Sequence, residues 1–134
     1  MLYLLVQRVN VMSRPTEVEL QILGILWENG SATAREIHNR ILETRETNYS
    51  TTVKMLSVML EKAQVKRDDS VRPQIFMAAA TQKRTQSKLL KDLVQKAYDG
   101  SMGSLVLQAL SSKKATKEEL AEIRELLDRL EGNK

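Results

Sequence analysis

The chain contains no cysteine, which removes disulfide staples, thiolate nucleophiles and thiolate metal sites together. Its 5 Gly and 2 Pro in 134 residues are too sparse for a phosphate-cradling loop, and no GxGxxG or Walker pattern occurs. One Trp and one Phe leave the core to Leu, Val, Ile and Met, a composition with few breakers that points to helices rather than a β-sandwich. His38 is the single histidine. It has no second imidazole with which to chelate a metal and no oriented nucleophile to serve, so neither an enzyme, a metal site nor a cofactor is expected. His38 itself reads as a surface or boundary residue. Long apolar runs are missing as well. The opening "MLYLLVQRVNVM" is broken by Gln7, Arg8 and Asn10, well short of the roughly 20 residues of a membrane span, and it lacks the charged start and cleavage site of a signal peptide. No membrane insertion and a cytoplasmic location are expected, with residues 1–13 as a leader of extra strand, helix or loose chain.

What is present is ordinary for a folded domain: 42% hydrophobic and 28% charged residues, with a formal net charge of +4. The excess is not spread evenly. From Lys113 onward, bases and acids balance, so the positive surplus lies upstream, where it favours a polyanionic partner.

Helix punctuation is clear. Thr16 and Glu19 have the spacing of a capping box, as do Thr33 and Glu36, and Thr116 and Glu119. The first predicts a helix over roughly 17–28 ended by Asn29-Gly30, and the second a helix carrying Ile37, Ile41 and Leu42 on one face. Ser50 is the expected N-cap of a third helix of about 13 residues. Beyond Lys62 the period changes, and "VKRDDSVRPQIFMAAA" reads as two short strands around Asp68-Asp69-Ser70, with Pro73 confined to an edge. Three helices and a hairpin form the order of a winged helix-turn-helix, here residues 14–80. The fold class is mainly α with a small β-hairpin. Residues 81–134 continue as helices. Leu90, Leu93 and Val94 lie on one stripe, Leu105 and Leu107 on the next segment, and Leu120, Ile123, Leu127 and Leu130 on the last. These stripes have little chain left to cover them. Either they fold back on their own domain or a second copy covers them, and a homodimer is the economical solution. Met55, Met59, Met77 and Met102 read as core filler.

On the third helix, Thr52, Leu56 and Met59 share one face, while Ser50, Thr51, Lys54, Ser57 and Val58 fall opposite. Short hydroxyls backed by one lysine allow close approach to a major groove. Lys66, Arg67 and Arg72 on the hairpin would meet phosphate or the minor groove. The plainer alternative is that the hydroxyls only cap the helix and Lys54 is solvated. A winged-helix module that binds proteins without specific DNA binding is the rival function.

"PTEVELQILGILWENGSATAREIHNRI" followed by "YSTTVKMLSVMLEKAQVKRDDSVRPQIFMAA" resembles the penicillinase repressor family from about Pro15 to Leu130. The resemblance implies a homodimeric repressor on a dyad operator of double-stranded DNA, with the helix at Ser50–Lys62 in the major groove and the C-terminal helices interlocking two subunits. Two positions depart from the family pattern: Val58 replaces a usual arginine and Ala63 a usual glycine. Members that answer to antibiotics are cut by a membrane sensor-protease at an Asn-Phe bond, where this chain reads Gln108-Ala109. Copper-responsive members use a cysteine-rich site that this chain lacks. Neither switch transfers.

Overall fold

Each helix begins where the chain supplies an oxygen for its unpaired N–H groups. The computed structural model describes residues 14–112 and 114–132; the expected leader lies outside them. Helix α1, Glu17–Asn29, opens with the Thr16/Glu19 capping box: the Glu19 N–H donates to Thr16 Oγ1 at 3.2 Å and the Thr16 N–H to Glu19 Oε1 at 3.0 Å. It ends at Gly30, whose φ of 85° has no Cβ to oppose it. Strand β1, Ala32–Thr33, leads straight into α2, Ala34–Leu42, through the Thr33/Glu36 box. Helix α3, Tyr49–Glu61, starts two residues earlier than an N-cap at Ser50 would place it, because Asn48 is its N-cap. The Asn48 Oδ1 accepts the Thr51 N–H at 2.9 Å and both the Ser50 and Thr51 hydroxyls at 2.8 Å. An amide oxygen at that position reaches all three donors, so the serine serves as a donor instead of a cap.

Strands β2, Val65–Asp68, and β3, Ile75–Ala78, form the hairpin. The sheet is antiparallel in the order β1-β3-β2, with Ala32 opposite Phe76 and Arg67 opposite Phe76 on the other side. Strand β1 has two residues and no alternating pattern, so nothing in the sequence announced it. Ile22, Leu26, Ile37, Leu56 and Met59 are the most buried apolar side chains, joined by Val65 and Phe76 from the sheet. Trp27 closes one edge by donating from Nε1 to the Ala80 carbonyl at 2.9 Å.

Three more helices follow: α4 at Gln82–Ala97, α5 at Met102–Ser112 and α6 at Lys117–Leu130. Thr81 caps α4 by accepting the Arg84 N–H at 3.1 Å, and the Thr116/Glu119 box opens α6 as expected. The described residues divide into two compact units, 14–90 and 91–132. The break falls inside α4, later than the boundary expected at 80/81. Met59 is fully buried and Met55 packs on the core, but Met102 is 59% exposed and fills no core.

Candidate nucleic-acid interface

Helix α3 is anchored from behind. Thr52, Leu56 and Met59 are buried, and His38 of α2 is buried beside them, not at the surface. Its Nδ1 lies 2.8 Å from Thr52 Oγ1, and its ring meets the Tyr49 ring edge-on with centroids 5.5 Å apart. A buried imidazole needs such partners, and both come from α3. The far end of α3 is tied to α1. Lys62, at the C-cap, places Nζ 2.7 Å from Glu19 Oε2, and the Gln64 amide donates to Glu19 Oε1 at 3.2 Å. Glu19 is 1% exposed. Burial by itself raises its carboxyl pKa, but the bonds from Lys62, the Thr16 N–H and Gln64, with the charge of Lys62, outweigh that and hold it below the ordinary carboxylate range. The sequence marked Glu19 as a cap only; its second bond partners come from residues more than forty positions away.

The opposite face of α3 is open. Ser50, Thr51, Lys54 and Ser57 are exposed, with Val58 half-buried. Between this face, the start of α2 and the hairpin runs a groove of about 250 Å³, lined by Arg35, Tyr49, Val53, Ser57, Arg67, Gln74 and neighbouring residues. Of the expected set it brings only Ser57 and Arg67 together; Ser50, Thr51, Lys54, Lys66 and Arg72 do not line it. Arg35 and Tyr49 were not singled out by sequence reasoning. They stand fourteen positions apart and no periodic pattern connects them.

The hairpin tip is folded onto itself. The Ser70 N–H and hydroxyl both donate to Asp68 Oδ1, at 2.9 and 2.6 Å, which holds the Asp68 carboxyl below its usual value. Arg67 Nε donates to Asp69 Oδ1 at 2.6 Å, and Arg72 donates to the Asp69 carbonyl at 2.7 Å. Lys54 and Lys66 are exposed and make no such bonds among the described residues. The end of α3 is strained in one place: Ala63 has φ 61°, the left-handed conformation that glycine would take without penalty.

In residues 91–132 the apolar stripes are largely uncovered. Leu93, Leu107, Leu127 and Leu130 are 49–74% exposed, and Leu90 at the end of the first unit is 43% exposed. Leu105, Leu120 and Ile123 are half-buried, while Val94 is already buried within the single chain and is not open for a partner.

Comparison with known proteins decides the family. The penicillinase repressor family model matches residues 15–129. The chain belongs to the penicillinase repressor family. It is 26% identical over 110 residues to a penicillinase repressor of Staphylococcus aureus, covering 82% of this chain and 87% of that protein. Membership in the penicillinase repressor family makes the chain a DNA-binding transcriptional repressor. No helix among the described residues is long and apolar enough to cross a membrane.

Proposed function

We propose that this repressor acts as a homodimer on a dyad operator, with α3 in the major groove and the hairpin against the backbone. The exposed hydroxyl-and-lysine face of α3, backed by the buried Thr52, Leu56 and Met59, carries the reading. A slim polar face admits the helix, and a rigid back fixes its register on the bases. Ser50, Thr51, Lys54 and Ser57 contact bases or phosphate, and Lys66, Arg67 and Arg72 contact the backbone. Arg67 must exchange Asp69 for phosphate to do so, since the two now form an ion pair.

The second copy covers the leucines of α5 and α6. An open cleft of about 580 Å³ between these helices, lined by Leu110, Ile123 and Leu126 among others, offers space for a partner side chain or helix. Sensor-protease cleavage is not part of the proposal. Gln108 and Ala109 sit inside α5, with the Tyr98 hydroxyl donating to Gln108 Oε1 at 3.0 Å, whereas proteolytic nicking concentrates at exposed loop tips.

One observation favours a rival reading as a protein-binding module: the wing arginines are satisfied by their own loop. A salt titration with a palindromic duplex selected from a random pool separates the two. The repressor loses affinity steeply as salt rises, because phosphate contacts release counterions; a protein module shows no duplex preference. Thr51→Ala and Lys54→Ala weaken binding to that duplex with little change in melting temperature. If both bind as the parent does, the assigned face is wrong. The paired change Leu107→Glu and Leu127→Glu gives a monomer in sedimentation; a persisting dimer removes these helices from the interface.

A further inference from the structure

The groove beside α3 contains an arrangement that the repressor reading does not use. Arg35, on the first turn of α2, holds its guanidinium carbon 3.9 Å from the centroid of the Tyr49 ring. An N–H pointed at the ring would set that carbon farther out, so the flat face of the cation lies on the ring and its in-plane N–H edge is turned away. Tyr49 is itself fixed, since its ring packs edge-on against the buried His38, whose Nδ1 is bonded to Thr52. Arg35 is exposed and makes no hydrogen bond or ion pair among the described residues. The neighbouring carboxylate of Glu36 is turned back onto the Thr33 N–H at 2.8 Å. Across the groove, Arg67 is engaged by Asp69.

We propose that Arg35, held on the Tyr49 ring, is a preformed phosphate clamp that fixes one strand of the duplex at the mouth of α3. The inference rests on the repressor reading and assigns it a contact on α2. An arginine that is already held needs less ordering on binding, and its free edge presents paired N–H donors to a phosphate oxygen pair. Tyr49 is a positioning residue: it orients the cation and reads no base.

The test is a salt titration of the full-length protein with two probes, the selected palindromic duplex and an unrelated duplex of equal length. Loss of one phosphate contact lowers the slope of log affinity against log salt by about 0.9. The deficit of Arg35→Ala relative to the parent therefore shrinks about 3.5-fold between about 50 and 200 mM salt. It does so on both duplexes, because a phosphate contact carries no sequence information. Arg35→Gln gives the same slope change and guards against an effect of shape. Tyr49→Phe binds as the parent does, whereas Tyr49→Leu weakens binding by about two- to five-fold. Combining Tyr49→Leu with Arg35→Ala adds nothing to Arg35→Ala alone. An unchanged slope in Arg35→Ala against a steep parent slope overturns the clamp and leaves the repressor reading intact. Multiplying effects in the double variant, or a Tyr49→Phe defect as large as that of Tyr49→Leu, also overturn it. A parent protein that binds neither duplex in a salt-dependent way overturns the repressor reading, and the clamp with it.

Discussion

Replacing Ala63 by glycine should make the protein more stable. Helix α3 ends in a Schellman motif: the Gln64 N–H donates to the Met59 carbonyl at 2.9 Å and the Ala63 N–H to the Leu60 carbonyl at 3.1 Å. This pattern requires a left-handed residue between the cap and the strand, and Ala63 takes it with φ 61°. Its Cβ then crowds the carbonyl, at a penalty of roughly 1–2 kcal/mol. Glycine removes that strain but frees the unfolded chain by about 0.4–1 kcal/mol, so Ala63→Gly gains a net of about 0.5–1 kcal/mol. Urea unfolding at fixed protein concentration, followed by the fluorescence of Trp27, checks it. The midpoint rises by about half a molar at constant slope, given slopes of about 1–3 kcal/mol/M. Ala63→Val, whose branched Cβ suits the conformation still less, moves the midpoint the other way. A glycine variant that is neutral or weaker, with a valine variant no worse, would show that the strain assigned to this residue is not there.

Glu19 predicts an acid dependence. Its pKa in the folded chain lies below the unfolded value, so the native state binds fewer protons. The stabilisation is fully present above the ordinary glutamate pKa of about 4.3 and is lost as pH falls through the depressed folded value. Glu19→Gln leaves Lys62 without its partner. Because Lys62 keeps 19% of its side chain exposed, the loss near neutral pH is about 2–3 kcal/mol, below the range for a fully enclosed pair. Urea midpoints from neutral to acid pH should show the two proteins converging in acid; a constant gap rejects the linkage. Thr52→Val conserves shape but leaves His38 Nδ1 unpaired in the interior, which costs about 1–3 kcal/mol. A melting curve that does not move would mean that the 2.8 Å contact contributes nothing.

The helices were legible where a side chain solves a local problem. Thr16/Glu19, Thr33/Glu36 and Thr116/Glu119 each satisfy paired backbone donors within one turn, and all three boxes form. Ser50 was the expected cap of α3, but Asn48 takes that place because its side-chain oxygen accepts the Thr51 N–H and both neighbouring hydroxyls. The interior position of His38 was not legible because Tyr49 and Thr52, the partners that make it tolerable, come from the next helix. Strand β1 was hidden by its brevity. The exposed face of α3 could be read from period alone, while the stacking of Arg35 on Tyr49 depends on how α2 and α3 cross, which no local pattern encodes.

The cap of α3 has a consequence for base preference. Ser50 and Thr51 both direct their hydroxyl hydrogens to Asn48 Oδ1, so only lone pairs remain to face outward. At the bases they meet, Ser50 and Thr51 should therefore prefer adenine or cytosine, whose amino groups donate in the major groove, over the keto edges of guanine and thymine. Asn48→Ala releases those hydrogens, and sites selected by that variant should lose the bias at the positions Ser50 and Thr51 contact; a parent protein that faces guanine or thymine there as often as adenine or cytosine would contradict it.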